Sequence, residues 1–292
     1  MKRSAIVDLY KDLSIFIPTY RRVAAVKTLK ALSPGALQAV SLVVRQEERD
    51  AYKSAHPEVR VLTLPIETSN LSQTRNWILK NCAARYCMML DDDLSFSYRP
   101  DLSKWSLKGF ADPTMFDAMV VKMLSRMRAE RIAHCAISPV EGHSHYIAEW
   151  NYLQRYMRAY IFDMEVLKNF MYADEVNGCE DFDMALQLVS RGYPSLVCYA
   201  YAQTHAGSNA RGGLSEYRDI AYHNRAMEQL KLRWPKHVCL VKKKTKHSWG
   251  GLPRVDVRVA WKKLFEESTP GWHCKTGDNT NTPRRIEEPV SQ

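Results

Sequence analysis

Three consecutive aspartates, Asp91, Asp92 and Asp93, directly follow the short apolar run Tyr86–Leu90. Adjacent carboxylates repel one another, so such a run needs a positive counter-charge. If the apolar run is a strand, alternate residues at its end project to the same side, which brings Asp91 and Asp93 together. Hard oxygen ligands suit Mg²⁺ or Mn²⁺, which also bind a substrate diphosphate. The triplet therefore predicts a divalent-metal site, and the alternative is a solvated acidic turn.

Three further positions carry groups that could do chemistry. Glu180 and Asp181 open a predicted helix, where a carboxylate can act as a general base or merely stabilise the helix N-terminus. His205 closes an apolar run and could add an imidazole ligand to a metal, although a single histidine is more often structural. Arg75 lies early in the helix before the aspartates, where it could pair with them, bind a phosphate or simply face solvent.

The elements that must position these groups alternate along the first part of the chain. Apolar runs predict strands at Leu13–Ile17, Ala39–Val44, Val59–Leu64 and Tyr86–Leu90, and helical spacing predicts helices between them, including Arg21–Leu32. This alternation predicts an α/β fold with a mixed, mainly parallel sheet flanked by helices. Ligands bind at the carboxyl ends of such strands, so residues 19–21 and the aspartates should meet in one crevice.

The distribution of charge indicates a second functional surface. The 292-residue chain has a net charge of +10, and the segment from Lys231 to Lys263 holds eleven Lys or Arg against one acid, Asp256. The rest of the chain is neutral, so this segment predicts either a polyanion contact or a solvated basic surface. No apolar run spans a bilayer, no secretory signal is visible, and the seven cysteines form no CxxC pair. We therefore expect a cytoplasmic protein without a membrane segment.

In their order along the chain, these motifs resemble those of family 2-like GT-A glycosyltransferases. The resemblance covers roughly Leu13 to His205 and rests on Ile-Phe-Ile-Pro18-Thr19-Tyr20-Arg21, Arg75-Asn76, Met-Met-Leu-Asp91-Asp92-Asp93, Glu180-Asp181 and His205. It implies a GT-A fold, a nucleotide-sugar donor, with a UDP-sugar expected first, and Mn²⁺ or Mg²⁺. It implies nucleotide-sugar contacts from Pro18, Thr19, Tyr20, Arg21, Arg75, Asp91 and Asp92, metal ligands Asp91, Asp93 and His205, and Asp181 or Glu180 as base.

Two features of the resemblance leave alternatives open. A triple aspartate replaces the family's usual DxD or DD, so the roles within Asp91–Asp93 are not separated. The Glu180-Asp181 pair does not decide between inverting and retaining transfer.

The last third of the chain resembles, more narrowly, phage-type glycosyltransferases associated with TET/JBP base hydroxylases. The likeness rests on Gly212-Gly213-Leu-Ser-Glu-Tyr217-Arg218, Trp234-Pro235 and Trp261-Lys262-Lys263. It implies that the acceptor is a 5-hydroxymethylpyrimidine in DNA, flipped out of a duplex to reach the crevice. The basic segment would then contact DNA through Lys242, Lys243, Lys244, Lys246 and Arg254.

Other functions remain open from the sequence. The enzyme could act on a surface polysaccharide or a lipid-linked glycan, with the basic segment meeting anionic lipid instead. A nucleotidyltransferase also uses paired aspartates, but the chain lacks its Gly-rich phosphate loop after the first strand. A non-catalytic nucleic-acid binder on an enzyme fold is the third alternative. We expect a glycosyltransferase domain over 1–230, with halves of about 1–110 and 111–230, a basic extension over 231–268 and a flexible tail over 269–292.

Overall fold

The computed structural model describes residues 9–104, 106–141, 148–205, 218–244, 252–270, 272–274 and 283–285. In this part of the chain the main feature is a ten-stranded sheet. Its strands are β1 (Leu13–Pro18), β2 (Val40–Val44), β3 (Arg60–Thr63), β4 (Tyr86–Leu90), β5 (Ser95–Tyr98), β6 (Lys108–Gly109), β7 (His134–Pro139), β8 (Trp150–Tyr152), β9 (Ala159–Asp163) and β10 (Leu196–Thr204).

The sheet has the order β3-β2-β1-β4-β9-β7-β10-β5-β6, and β8 pairs with β10. The pairs β3–β2, β2–β1 and β1–β4 are parallel, and so is β7–β10. The pairs of β9 with β4 and β7 are antiparallel, which makes the sheet mixed. Every residue of β2 and β4 is buried, as expected for strands covered on both faces. The predicted mixed, mainly parallel α/β fold is confirmed.

Helices cover the sheet on both faces. They are α1 (Pro34–Ala39), α2 (Arg49–Ala55), α3 (Leu71–Asn81), α4 (Thr114–Glu130), α5 (Met164–Leu167), α6 (Glu180–Val189), α7 (Ile220–Arg233) and α8 (Trp261–Ser268). Helix α3 begins where the Asn70 side chain accepts a hydrogen bond from the Gln73 N–H, at 2.8 Å, which satisfies one of the free donors of its first turn. Among the described helices, none has the length and apolar character needed to span a membrane.

The helix predicted over Arg21–Leu32 is wrong. Two short 3₁₀-helices, Val23–Ala25 and Lys27–Ala31, occupy this stretch. The reason is Thr28, whose N–H donates to the Asp92 carbonyl at 3.1 Å and whose hydroxyl donates to the Asp91 carbonyl at 2.6 Å. A backbone N–H used in this way is lost to an α-helical ladder. The segment is therefore bound to the aspartate loop rather than folded on itself.

The basic segment packs against the rest of the protein where the structure describes it. After α7 the chain forms an antiparallel hairpin of β11 (Val238–Lys243) and β12 (Arg254–Val259), and then α8. Val238, Leu264 and Phe265 are buried in the main hydrophobic core. Of the predicted flexible tail, the described residues beyond position 270 form only the pair β13 (Trp272–Cys274) and β14 (Pro283–Arg285). The predicted division into domain, extension and tail stays a prediction.

Candidate active site

A cavity of about 270 Å³ opens at the carboxyl ends of β1 and β4. Six arginines and five carboxylates line it, which makes it strongly polar with a small excess of positive charge. The distant sequence motifs do meet here, as expected for an open α/β sheet. The predicted site residues that line it are Pro18, Thr19, Tyr20, Arg75, Asp91, Asp92, Asp93, Glu180, Asp181 and His205.

Two of the three aspartates are paired with an arginine, and a threonine hydroxyl donates to one of them. Asp92 accepts hydrogen bonds from the Thr19 hydroxyl at 2.7 Å and from Arg22 Nη1 at 2.5 Å. The same Arg22 nitrogen lies 3.0 Å from Asp93 Oδ2, so one guanidinium bridges two carboxylates. The Tyr52 hydroxyl accepts from the Arg22 N–H at 3.0 Å and fixes the backbone there. Arg22 thus supplies one positive charge that Asp92 and Asp93 share.

Asp91 differs from its two neighbours. Its carboxylate lies 3.7 Å from Arg75 Nη2, and 35% of its side chain is accessible through the cavity. Burial on its other sides raises the pKa of Asp91 to about 7; Arg75 opposes this rise, and the charges of Asp93 and Asp92 add to it. A cation or a donor in the cavity would favour the charged form, so this carboxylate is poised to respond to a ligand.

The two acids at the start of α6 are held by different arginines. Glu180 accepts from Arg75 Nη1 at 2.5 Å and from the Gly178 N–H at 2.7 Å. Asp181 accepts from Arg155 at 3.1 and 3.2 Å through one oxygen, and from the Phe182 N–H at 2.9 Å through the other. A base role for either acid therefore requires an arginine to release it.

At the end of the cavity beside β1, two arginine guanidinium groups lie near the ring of Tyr20. The guanidinium of Arg45 lies 4.3 Å from the centroid of the Tyr20 ring, and that of Arg21 lies 5.0 Å from it. Arg21 has a left-handed backbone, with φ of 54°, and its N–H donates to Glu48 at 2.9 Å. Such a conformation is costly for a non-glycine residue and marks a constrained position. Arg21 is not among the residues that line the cavity.

His205 lines the cavity close to the aspartates. Its Nε2 lies 3.9 Å from Glu141 Oε1, and burial together with Arg158 lowers the pKa of His205, while Asp93 opposes the change. The imidazole is therefore predominantly neutral, the form that binds metals. Within the described ranges, no three His, Cys, Asp or Glu side chains converge to hold a metal by themselves. Two carboxylates suffice for Mg²⁺ when substrate phosphates complete the shell, so the donor set fits a metal that binds together with a diphosphate.

Sequence reasoning missed five arginines of the cavity: Arg22, Arg45, Arg155, Arg158 and Arg218. Arg158 combines a left-handed φ of 65° with a backbone carbonyl that accepts from the Asp91 N–H at 2.8 Å. A usable signal was present for Arg22, which follows the end of the predicted strand Leu13–Ile17 next to residues 19–21.

The predicted DNA-contact residues that the structure describes belong to the hairpin β11–β12 or directly follow β11. Lys242 and Lys243 end β11, Lys244 follows them, and Arg254 begins β12. None of these four lines the cavity. Lys246 lies outside the described residues, as do Gly212, Gly213 and Tyr217 of the narrower resemblance.

The fold is similar to that of glycosyltransferases of known structure. Glucosyl-3-phosphoglycerate synthase from Mycobacterium tuberculosis, solved with Mn²⁺, UDP-glucose and phosphoglyceric acid, superposes with a TM-score of 0.53. The two chains are 11% identical, and the alignment covers 90% of this chain and 95% of that one. A second solved structure, of a mycobacterial protein, gives a TM-score of 0.51 at 10% identity over 87% of each chain. The fold is that of a GT-A glycosyltransferase.

A sequence profile of the TET-associated glycosyltransferases matches residues 13–213. The chain therefore belongs to the TET-associated glycosyltransferase family and is a nucleotide-sugar-dependent glycosyltransferase. Among curated proteins it is similar to the β-glucosyl-HMC-α-glucosyl-transferases of two enterobacteria phages. Identity to the phage T2 enzyme is 24% over 238 residues, covering 76% of this chain and 81% of that protein. Identity to the phage T6 enzyme is 25% over 237 residues, with the same coverage.

Proposed function

We propose that this enzyme transfers a hexose from a UDP-sugar to a hydroxyl on modified DNA, in a metal-dependent reaction. The acceptor is a 5-hydroxymethylpyrimidine or the sugar already attached to one. The observation that carries the proposal is the cavity in which six arginines and the aspartate triplet meet, in a chain that also carries the basic hairpin. The names of the phage relatives support an acceptor of this class.

The donor lies along the cavity. Its base packs at the Tyr20 and Arg45 end, beside Pro18 and Thr19. Its diphosphate lies among arginines that include Arg75, because guanidinium groups bind phosphate oxygens through paired N–H donors. Asp91 and Asp93 would hold Mg²⁺ or Mn²⁺ against the same oxygens, with His205 as a further ligand. When bound there, the ion would offset the charge that develops on the departing diphosphate.

Glu180 and Asp181 have different roles because different arginines hold them. Arg75 has 6% of its side chain exposed and fixes Glu180, whereas Arg155 is 39% exposed and can release Asp181. Asp181 therefore takes the proton of the acceptor hydroxyl. The oxygen then bonds to the anomeric carbon as the bond from that carbon to the diphosphate oxygen breaks, and UDP leaves with the electron pair.

The DNA is held outside the cavity by the basic segment. Lys242, Lys243, Lys244, Lys246 and Arg254 contact its phosphates. The affinity of such a surface falls steeply with salt because counterions are released on binding. An acceptor base in a duplex is flipped into the cavity, at a cost of a few kcal/mol.

The test uses purified protein, Mn²⁺, a panel of UDP-sugars, and duplexes that contain 5-hydroxymethylcytosine, 5-hydroxymethyluracil or glucosylated 5-hydroxymethylcytosine. Nucleoside mass spectrometry should show a hexose-sized gain on one base. Asp93→Asn should abolish that gain and weaken Mn²⁺ binding in the presence of UDP. Asp101→Asn is the matched control, because Asp101 is exposed and bonds only Ser103 and Lys104 in the described part of the chain. Metal-dependent UDP release without any change in DNA mass would move the acceptor to a glycan.

A further inference from the structure

Two arginines from separate elements converge where the cavity meets the basic hairpin. Arg218 lines the cavity and directly precedes Asp219, whose side chain caps α7 by accepting from the Tyr222 N–H at 2.6 Å. Arg254 is the first residue of β12. Since α7 packs along β12, the start of this helix brings Arg218 beside the start of the strand.

Hydrogen bonds fix this packing in register. The Asn224 side chain accepts from the Val255 N–H at 2.8 Å and donates to the Pro253 carbonyl at 3.2 Å. His223 Nε2 lies 2.9 Å from the Val255 carbonyl. Pro253 and Val255, the residues on either side of Arg254, are therefore both bound to α7. Arg254 is therefore held beside the cavity rather than carried on a loose arm.

The positive charges gathered here repel one another. Burial lowers the pKa of Arg218, and the charges of Arg254 and Arg158 lower it further, while Glu180 opposes the change. Acids already pair with part of this group: Asp256 is bonded to Arg254 and Lys243 at 2.9 and 2.8 Å, and Glu141 to Arg158 at 3.3 Å, while Glu180 is bonded to Arg75. Among the described residues, the four cations Arg218, Arg254, Arg158 and Lys243 still outnumber Asp256 and Glu141, and this excess of positive charge favours an anion.

The outward face of the hairpin continues this positive charge away from the cavity. Residues paired directly across an antiparallel ladder lie on one face, which groups Lys243 with Arg254, and Cys239 with Arg258. Val255, Val257 and Val259 alternate with these residues and pack on the core. One face of the ribbon is therefore anchored, and the other carries Lys243, Arg254 and Arg258 together with Asp256, which pairs with Lys243 and Arg254. A two-stranded ribbon of this kind fits against a duplex.

We propose that Arg218 and Arg254 form a phosphate subsite for the acceptor DNA strand, beside the nucleotide that enters the cavity. Lys243 and Arg258 contact the phosphates that lead away from it along the ribbon. This inference rests on the proposed DNA acceptor. It separates the phosphates of the acceptor from the donor diphosphate, which we assign to Arg75 and to a metal that Asp91 and Asp93 would hold in the same cavity.

The test measures DNA and UDP binding separately. The Arg218→Gln/Arg254→Gln double variant should raise the Kd for an acceptor duplex at least tenfold, the loss expected for charge-assisted hydrogen bonds. The slope of log affinity against log salt should become shallower by about 0.9, the value for one duplex phosphate contact. The Kd for UDP with Mn²⁺ should not change. Arg254→Lys should recover part of the DNA affinity. Arg60→Gln, on the exposed edge strand β3, is the matched control.

Two results would overturn the subsite. A weakened UDP affinity with unchanged DNA affinity would mean that both arginines bind the donor. Unchanged Kd values for both UDP and DNA would mean that neither arginine binds a phosphate. Failure of the proposed function looks different, because the wild-type enzyme would then add no sugar to any DNA. If the wild type glycosylates DNA and the double variant binds it with the wild-type salt slope, only the subsite is refuted.

Discussion

The ion pair between Arg75 and Glu180 allows a quantitative test of how the site is built. Both side chains are 6% exposed and meet at 2.5 Å, and the Arg75 guanidinium also lies 5.6 Å from the centroid of the Tyr172 ring. In Arg75→Met, the Glu180 carboxylate keeps the Gly178 N–H but loses its charged partner inside the protein. Removal of one member of a buried pair costs about 3–5 kcal/mol, whereas replacement of both by apolar groups is often close to neutral.

We therefore expect Arg75→Met to lower the free energy of unfolding by about 4 kcal/mol, and Arg75→Met/Glu180→Leu to recover most of that loss. Urea titrations followed by both circular dichroism and tryptophan fluorescence would measure it, with coincident transitions as the check on two-state behaviour. Arg85→Met is the control, because Arg85 is itself 46% exposed where it pairs with Asp163 and Glu165. Its loss should change the stability far less than the loss of the buried Arg75, because solvent screens an exposed cation.

Two results would contradict this reasoning. A loss below about 1 kcal/mol in Arg75→Met would mean that the cavity solvates Glu180 as well as the arginine does. A double variant as unstable as the sum of the two single ones would mean that the residues contribute independently, because a direct interaction appears as non-additivity.

Three further predictions follow from single positions. Gly178→Ala should lose about 1–2 kcal/mol of stability in denaturant titrations, because Gly178 has a φ of 101° and an added Cβ would lie 2.8 Å from the Tyr222 ring. Burial lowers the pKa of His134 to about 4 from 6.5. Since the unfolded chain binds the proton first, stability should fall by about 3 kcal/mol as pH drops from 6.5 to 4, and His134→Gln should flatten that slope. Trp261→Ala should lower kcat while the Kd for UDP stays constant, and Trp261→Phe should retain more activity, because the Trp261 ring lies parallel to Phe182 beside Asp181.

The local sequence pattern is sufficient to predict the sheet and to predict that the polar residues at its strand ends lie together. The strand Tyr86–Leu90 has the predicted bounds, because five consecutive apolar residues before three aspartates leave little choice of structure. The meeting of Thr19 with Asp92 follows from the parallel sheet, whose strand ends share one edge. These features depend on periodicity and topology, which are readable along the chain.

The ion pairs inside the cavity could not be predicted from the local sequence pattern. Arg22 reaches two aspartates about seventy positions along the chain, and the apolar spacing around it suggested a helix. Helical periodicity reports which face is buried, but it says nothing about a backbone N–H that a distant carbonyl captures, as happens at Thr28. The 3₁₀ segment and the arginine partners are consequences of tertiary contacts.

The basic segment also supports the acid that the proposed mechanism uses. The guanidinium of Arg155 lies 3.9 Å from the centroid of the Phe182 ring while it holds Asp181, and the Phe182 ring is within 5° of parallel to that of Trp261 on α8. Leu264 and Phe265 anchor α8 in the core, so the position of Trp261 is fixed. Loss of this helix would remove the support under Phe182 and, with it, the surface on which Arg155 rests. The segment that charge alone predicted as a DNA-binding extension therefore supports the active site through the contact of Trp261 with Phe182. Its removal should impair transfer even to an acceptor too small to touch the hairpin.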